Sequence, residues 1–263
     1  MSVGTKAASD PLAPRLKENL WGYGKRLSFV DGAVMREFPS YKRSELRILD
    51  VGCGNGSQLA IPLSHAGYQV TAVDPHQPSV ERGRLLAPAI EFHHGFVTDL
   101  VPRKFHCVIL SEVLEHLESP EMLIDASLCY LTKPGLLIVT VPNGYGEFEL
   151  DRRLYRGLYA DKLVAWVWSV LRSGSDVKFV AGSDDESPHI QRFTLSRIRR
   201  IFRNRNLPVI EARGTSIASG PFVSHLLGRF DAFVRVNVTM ADRLPLLFAS
   251  GWMFCLRLTL QPD

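Results

Sequence analysis

The sequence predicts an α/β fold in which a mostly parallel sheet carries helices on both faces. Two observations support this prediction. Between Leu46 and Val141, short apolar runs alternate with helix-like segments, which is the pattern of strands joined by crossover helices. In addition, the first apolar run leads through a glycine-rich turn directly into a helix-like segment. The 263 residues, of which 46% are hydrophobic, are enough to bury the core of one large domain.

Five strands are predicted from the short apolar runs, and three helices from the segments between them. The strands are Arg47–Val51, Gln69–Asp74, Ile90–His94, Phe105–Ser111 and Leu136–Val141. The helices are Gln58–His65, Ser79–Ala87 and Pro120–Leu131. The last helix has the clearest start, because Ser119 can cap it and Pro120 suits the first helical position.

The flanking segments complete the predicted organisation. Residues 1–45 are predicted to form an N-terminal helical segment before a main domain of residues 46–263. The alternating pattern breaks after the fifth strand, and residues 145–192 form a separate predicted segment that contains a helical, aromatic stretch. The last predicted elements are a helix with Thr194 as its cap and two strands, at Thr194–Asn206, Pro208–Ala212 and Trp252–Leu260.

Charge is distributed unevenly along the chain. Residues 1–150 contain 14 Lys and Arg against 17 Asp and Glu, whereas residues 151–263 contain 17 against 10. The basic C-terminal part predicts an anionic partner, such as a phosphate-bearing substrate, a membrane surface or RNA. A solvated basic helix face is the alternative, and nucleic acid is the least expected of the partners.

Neither secretion nor a membrane span is predicted. Residues 1–15 lack the apolar core of a secretory signal. The uncharged, apolar stretch Leu244–Leu256 is shorter than the roughly 20 residues that a bilayer span requires. We therefore expect a cytoplasmic protein, or one that lies peripherally on the inner face of a membrane.

The glycine-rich turn places Gly52, Gly54 and Gly56 directly after the first strand. Glycines allow a sharp turn and a close approach of the backbone to a ligand, because they lack a Cβ. A dinucleotide-binding turn would have its third glycine one residue later, where this chain has Ser57. A nicotinamide or flavin enzyme is therefore a distant alternative. Asp74 ends the second strand, where a carboxylate can accept hydrogen bonds from ribose hydroxyls.

Four strings occur in order along the chain: L-D-V-G-C-G-N-G at 49–56, V-D-P-H at 73–76, E-V-L-E-H-L at 112–117 and G-L-L-I-V-T-V-P-N at 135–143. Together they resemble the class I S-adenosylmethionine-dependent methyltransferases, in the branch that includes the ubiquinone-biosynthesis O-methyltransferases and many small-molecule methylases. The resemblance covers Leu46–Asn143 well and Thr194–Ala212 loosely. It implies a Rossmann-like, seven-stranded sheet with an antiparallel last strand and a substrate-covering helical insertion after the fifth strand.

The same resemblance implies a site for S-adenosylmethionine at the carboxyl ends of the strands. Asp50, the glycine turn, Ser111 and Glu112 would hold the methionine part, and Asp74 would bind the ribose. The residues that the resemblance assigns to this cofactor are Asp50, Gly52, Cys53, Gly54, Gly56, Asp74, Pro75, His76, Phe96, Val97, Ser111 and Glu112. Cys53 is interpreted as a small packing residue, because nothing around it would activate a thiolate.

The adenine side departs from the pattern of the family. Members often have Gly-Asp after the third strand, with the Asp side chain on the adenine amino group, whereas this chain has Gly95-Phe96. Phe96 can stack on the purine, and the Val97 N–H can bond a ring nitrogen. Ordinary core packing of Phe96 is the alternative.

Methyl transfer to an oxygen requires alignment of donor and acceptor and removal of the acceptor's proton. His116, just beyond the fourth strand, and His189, after a predicted loop, are the candidate catalytic bases. For each histidine a structural role is the alternative. The four cysteines form no C-x-x-C pair and no zinc spacing occurs, so the sequence predicts no metal site.

We therefore predict an S-adenosylmethionine-dependent methyltransferase that moves a methyl group to a small or lipid-like acceptor, preferentially at oxygen. The aromatic segment Leu150–Leu171 suggests a lipid-like acceptor or peripheral membrane contact, and the apolar stretch Leu244–Phe254 could extend such a patch. Packing of these residues on the sheet is the alternative. The alternatives to this function are an RNA or protein methyltransferase and a catalytically silent, methyltransferase-like binding module.

Overall fold

The computed structural model describes residues 22–146, 189–220, 223, 227 and 230–258, and within them seven strands form one sheet. The strands are β1 Arg47–Val51, β2 Gln69–Asp74, β3 Glu91–His94, β4 Phe105–Ser111, β5 Leu131–Pro142, β6 Val209–Gly214 and β7 Gly251–Leu258. Their order across the sheet is β3-β2-β1-β4-β5-β7-β6. Strands β1 to β5 pair in parallel, and β7 is antiparallel to both β5 and β6. The predicted Rossmann-like sheet with an antiparallel last strand is confirmed.

Helices cover both faces of this sheet. They are α1 Tyr23–Glu37, α2 Ala60–His65, α3 Gln77–Leu86, α4 Pro120–Leu128, α5 Leu195–Arg203 and α6 Asp231–Arg243. Within the described residues, none of these helices is both long and apolar enough to cross a membrane. Short 3-10 turns at Val97–Asp99 and Leu114–His116 follow β3 and β4.

Two hydrophobic cores lie on opposite faces of the sheet, because successive strand residues point to opposite sides. Ile48 of β1 packs in the core shared with α1, α2 and α3. Its neighbour Leu49 packs in the second core, which also contains residues of α4 and α5. Both side chains are fully buried. A strand buried on both faces needs apolar residues at every position, which explains the uninterrupted apolar runs of the sequence.

Helix α1 contributes buried side chains to the hydrophobic core that contains Ile48. Leu27, Val30 and Val34 recur at helical spacing and are buried against the same core as α2 and the sheet. Residues 1–21 and most of the insertion predicted at 145–192, including Leu150–Leu171, lie outside the described residues. The division into a segment of residues 1–45 and a domain of residues 46–263 stays a prediction.

Most element boundaries differ from the predicted ones by one or two residues, but the fifth strand is an exception. The helix predicted at Pro120–Leu131 ends at Leu128, and Leu131 already pairs with Phe105 in the parallel ladder of β5 and β4. That pairing, a contact between distant parts of the chain, overrides the local helical pattern. Ser119 is the N-cap residue of α4 as predicted, although its side chain makes no cap hydrogen bond. Thr194 Oγ1 accepts the Arg197 N–H at 3.1 Å, as predicted.

Candidate active site

The order of the strands reverses between β1 and β4, and the glycine turn lies at the carboxyl end of β1 at this point. A crevice forms at such a switch point because the chain leaves neighbouring strands in opposite directions. We call this edge the switch-point rim; it comprises Asp50, Gly52–Gly56, Asp74, Ser111 and Glu112. The sequence-predicted residues of the methionine and ribose sides are therefore brought together.

The three glycines of the turn have left-handed backbone angles, with φ of 73° at Gly52, 55° at Gly54 and 75° at Gly56. Two of them are required by packing. A Cβ on Gly52 would overlap the Val113 side chain, and one on Gly56 would lie 2.8 Å from Phe92 Cζ. A Cβ on Gly54 would meet no atom within 4 Å. Gly54 thus presents bare backbone to open space, where a ligand can approach it closely.

Asp74 ties the glycine turn to the second strand. Its Oδ2 accepts the Gly54 N–H at 2.7 Å, and its Oδ1 accepts the His76 N–H at 2.8 Å. The residue is 8% exposed. Each carboxylate oxygen has two lone pairs, so both can accept a further hydrogen bond from a ligand hydroxyl.

A second carboxylate, Asp50, lies beneath the turn. Burial and the neighbouring Asp74 raise the pKa of Asp50 to about 7, against the opposing effects of the Ala60 N–H and Arg26. Burial, followed by these two acidic neighbours, also raises the pKa of the Cys53 thiol far above its ordinary value. A thiol in this state is a poor nucleophile, which supports the interpretation of Cys53 as a packing residue.

An arginine that the sequence reasoning missed reaches the rim from α1. Arg26 is 2% exposed; its Nη1 donates to Ser111 Oγ at 3.0 Å, and its Nη2 lies 3.3 Å from Glu112 Oε1. Its buried Nε has no hydrogen-bond partner among the described residues. The signal that could have revealed it is a cation on the apolar face of a helix, next to Leu27 and Val30.

Glu112 is fixed in an unusual backbone conformation. Its φ is 54°, a value that non-glycine residues seldom adopt and that is enriched at functional sites. Thr140 of β5 holds it from two sides, since its hydroxyl donates to Glu112 Oε1 at 2.8 Å and its carbonyl accepts the Glu112 N–H at 3.0 Å. The Arg26 guanidinium lies beside the Glu112 carboxylate, so a positive and a negative group are next to each other at the rim.

Beyond Glu112, three titratable side chains from two segments lie together: Glu115, His116 and His189. We call them the Glu-His cluster. Each offers one ligand atom, and these atoms lie within 4.8 Å of one another. The rings of the two histidines make an edge contact, with centroids 5.0 Å apart. The structure thus brings the two candidate bases together and adds Glu115, which the sequence reasoning did not select.

Glu115 is the most deeply buried member of the cluster. It is 1% exposed, and its Oε2 has no hydrogen-bond partner in the described residues. Burial, and secondarily the charge of Glu112, raise the pKa of the Glu115 carboxyl well above its ordinary range. Backbone hydrogen bonds attach the segment of His189 here, because the Ile190 and Gln191 N–H groups donate to the Glu115 carbonyl at 2.8 and 2.9 Å.

The predicted adenine side lies at the end of β3, where Phe96 is 65% exposed. Core packing is therefore the wrong interpretation of Phe96, and stacking on a purine stays a prediction. An acidic side chain is present three residues later, but Asp99 Oδ2 accepts the Phe96 N–H at 2.7 Å and so caps the turn. Val97 is buried, and Pro75 and His76 follow Asp74 directly.

The apolar stretch Leu244–Phe254 divides into two parts. Trp252 and Phe254 are buried in β7, so for these two side chains the alternative of packing on the sheet is confirmed. Leu247 and Phe248 are 67% and 58% exposed. They lie beside the end of β5, since Asn143 Nδ2 donates to the carbonyl oxygen of Leu247 at 3.2 Å.

Curated relatives match about half of the chain. The ubiquinone biosynthesis O-methyltransferase of Bradyrhizobium diazoefficiens is 34% identical over 128 residues, which are 45% of this chain and 50% of that protein. The enzyme of the same name from Rickettsia canadensis is 32% identical over 130 residues, 47% of this chain and 52% of its own. The chain therefore spans about half the length of the curated relatives it matches.

Solved structures share the fold at low sequence identity. Magnesium protoporphyrin IX methyltransferase from Synechocystis, solved with bound S-adenosylhomocysteine, is 17% identical with a TM-score of 0.51, over 89% of this chain and 85% of that one. A plantazolicin methyltransferase, solved with a triazolic desmethylPZN analogue and S-adenosylhomocysteine, is 16% identical with a TM-score of 0.55, over 95% of this chain and 88% of that one. A methyltransferase domain family matches residues 23–212, most of the chain. The chain therefore belongs to the methyltransferase domain family, in the class I S-adenosylmethionine-dependent group that its four sequence strings predict.

Proposed function

We propose that this chain binds S-adenosylmethionine at the switch-point rim and transfers its methyl group to an oxygen of a small-molecule acceptor. The observation that carries the proposal is the arrangement of the rim itself. A glycine with open space, a carboxylate that ends β2, and an Arg–Glu pair all lie at the reversal of the strand order.

The residues of the rim suit the parts of this donor. The amino-acid end of S-adenosylmethionine carries a carboxylate and an ammonium group. Arg26, whose buried Nε has no hydrogen-bond partner in the described part of the chain, suits the carboxylate, and Glu112 and Asp50 suit the ammonium. Asp74 suits the ribose hydroxyls, since its oxygens keep lone pairs beside the Gly54 and His76 N–H groups.

The donor supplies a methyl group on a sulfonium, which an acceptor oxygen displaces while the electrons of the C–S bond stay on sulfur. The chain has to align the two molecules and exclude water, and alignment can contribute about 7–11 kcal/mol in the best cases. The acceptor's proton must also leave. His116 and His189, at the carboxyl ends of the strands, stay candidates for this role.

An oxygen acceptor is supported by the curated relatives, whose printed names describe O-methyltransferases. A lipid-like acceptor or a position at a membrane surface is supported by the exposed Leu247 and Phe248 near the end of β5. A phosphate-bearing or nucleic-acid acceptor has no comparable support among the described residues.

The experiment that tests this function is transfer of labelled methyl from S-adenosylmethionine to fractionated metabolite and lipid extracts. We expect label in a small organic-soluble product, and we expect the activity to survive treatment of the extract with nuclease and protease. Label that appears only in RNA or protein would overturn the acceptor class. Donor binding with no transfer to any fraction would instead favour a catalytically silent binding module.

A further inference from the structure

We propose that a cavity at the amino ends of β4 and β5 is a second ligand-binding site, which takes a small planar ring that carries an anionic group. We call it the amino-edge cavity; its lining includes Glu37, Phe38, Tyr41, His106, Lys133 and Pro134. Its volume is about 370 Å³, which is in the range of sites that hold small molecules. The proposal does not depend on the proposed function, because no residue of the switch-point rim lines this cavity.

The amino-edge cavity lies at the edge of the sheet opposite the switch-point rim. His106 is the second residue of β4, and Ser111 of the rim is its last. At about 3.3 Å per residue, the five steps between them span roughly 16 Å of strand. Lys133 is likewise near the start of β5. A molecule in this cavity is therefore separate from the methyl donor and from an acceptor that meets the donor.

Three aromatic side chains of the lining contact one another. The ring centroids of Phe38 and His106 are 5.2 Å apart, and the Tyr41 centroid is 6.0 Å from that of Phe38 and 5.7 Å from that of His106. These contacts hold Tyr41 against the buried Phe38, although Tyr41 itself is 47% exposed. An exposed ring that its neighbours hold in place can stack on a planar ligand at a small cost in side-chain entropy.

A hydrogen bond of His106 decides which of its ring nitrogens can donate to a ligand. Its Nδ1 accepts the Arg47 backbone N–H at 3.0 Å. Burial, and secondarily the charge of Arg47, lower the pKa of His106, which favours the neutral ring. The neutral ring then carries its proton on Nε2, for which the described residues provide no acceptor. This N–H is thus available to a ligand in the cavity.

The acceptors that line the cavity are satisfied, whereas its donors are not. The Glu37 carboxylate pairs with Arg257. The Pro134 carbonyl oxygen accepts the Thr132 hydroxyl at 2.6 Å. By contrast, the ammonium of the exposed Lys133 has no ion pair or hydrogen bond to a described residue. The ligand therefore has to bring acceptor atoms, and the unpaired positive charge favours an anionic group.

An aromatic carboxylate meets both requirements, since its ring suits Tyr41 and its carboxylate suits Lys133 and the His106 Nε2–H. The test is calorimetric titration of the full chain with 2-naphthoate and with its uncharged analogue 2-naphthamide. We expect one naphthoate per chain and an affinity at least about tenfold weaker for the amide, because the neutral group loses the charged hydrogen bonds.

Variants of the lining locate the binding. Lys133→Met should weaken naphthoate binding by at least about tenfold, and Tyr41→Leu by about two- to tenfold through the loss of ring stacking. Lys42→Met is the matched control, because it removes the same charge from an exposed residue next to Tyr41 that does not line the cavity. Its affinity should equal that of the parent chain. Asp74→Asn, at the rim, should also leave naphthoate binding unchanged.

Three results would overturn the amino-edge site: no binding of naphthoate, equal binding of naphthoate and naphthamide, or an affinity that Lys133→Met leaves unchanged. Weaker naphthoate binding in Asp74→Asn would likewise place the ligand at the rim and overturn the proposal. The proposed function is tested separately on the same preparations, by binding of S-adenosylhomocysteine. Its loss would overturn the donor site alone, since Lys133 and Tyr41 lie at the opposite edge of the sheet.

Discussion

The switch-point rim and the Glu-His cluster are neighbours at the end of β4, yet they are built in different ways. The rim depends largely on backbone geometry: three left-handed glycines follow one another in a single turn, and the Asp74 carboxylate of the neighbouring strand accepts two backbone N–H groups. The cluster depends on side chains that only tertiary structure brings together, across 73 residues from His116 to His189. A site of the first kind leaves a signature in the spacing of its residues, whereas the proximity of His189 to Glu115 and His116 could not be predicted from their spacing.

The largest expected effect is at the glycine turn, where two substitutions separate packing from ligand contact. Gly52→Ala would place a Cβ against Val113 at a φ of 73°, so we expect a loss of about 2–4 kcal/mol in unfolding free energy. Gly54→Ala meets open space, so only about 1 kcal/mol of backbone strain is expected. Chemical denaturation measures both.

Donor binding is expected to be strongly affected by Gly54→Ala, the variant with the smaller effect on stability. Gly54→Ala should fold and yet lose most of its affinity for S-adenosylhomocysteine, because its Cβ would occupy the space in front of the bare backbone. Equal losses of stability in the two variants, or full donor affinity in Gly54→Ala, would contradict the distinction between a packing glycine and a ligand-facing one.

The next effect is at Arg26, which joins α1 to the rim. Arg26→Met keeps much of the apolar volume but removes the guanidinium, so we expect donor affinity to fall by about 10- to 100-fold, corresponding to about 1.5–3 kcal/mol for a charged hydrogen bond. Arg36→Met, on the exposed side of the same helix, is the matched control. Calorimetric titration provides the measurement, and an affinity unchanged by Arg26→Met would remove this residue from the donor site.

A pH effect is expected from Asp50. Its pKa is about 7 in the folded chain against an ordinary 3.8, so between these values the folded state holds more protons than the unfolded one. Stability therefore falls as pH rises from about 4 to about 7. Asp50→Asn should flatten this part of the profile. Urea unfolding of both proteins at pH 5 and pH 8 tests it; parallel profiles would show that Asp50 keeps its ordinary pKa.

The smallest effect is expected at the exposed pair beside β5. Leu247→Ser with Phe248→Ser should change the free energy of unfolding by less than about 0.5 kcal/mol, since both side chains are exposed. Flotation with anionic liposomes should recover less of the double variant than of the parent chain if this pair contacts a membrane. The matched control is Val101→Ser, an exposed apolar residue outside this region. Equal recovery of all three would rule out contact through Leu247 and Phe248.

The fold was predictable because its signals are local. Each central strand is an apolar run bounded by a turn. Gly52, Gly54 and Gly56 mark the turn after β1, whose left-handed backbone favours glycine. The end of α4 was not predictable, since Leu131 is drawn into β5 by pairing with Phe105 of a distant segment. The same reason hides Arg26 and Glu115: their roles depend on which groups surround them after folding.

The central claim is that the switch-point rim binds the methyl donor. Its most direct test is calorimetric titration of S-adenosylhomocysteine into the full chain and into Asp74→Asn, whose amide can no longer accept the hydrogen bonds of both oxygens. We expect one molecule per parent chain and an affinity at least about tenfold weaker in the variant, from the loss of charged hydrogen bonds. No binding to the parent chain, or equal binding to both proteins, would contradict the claim.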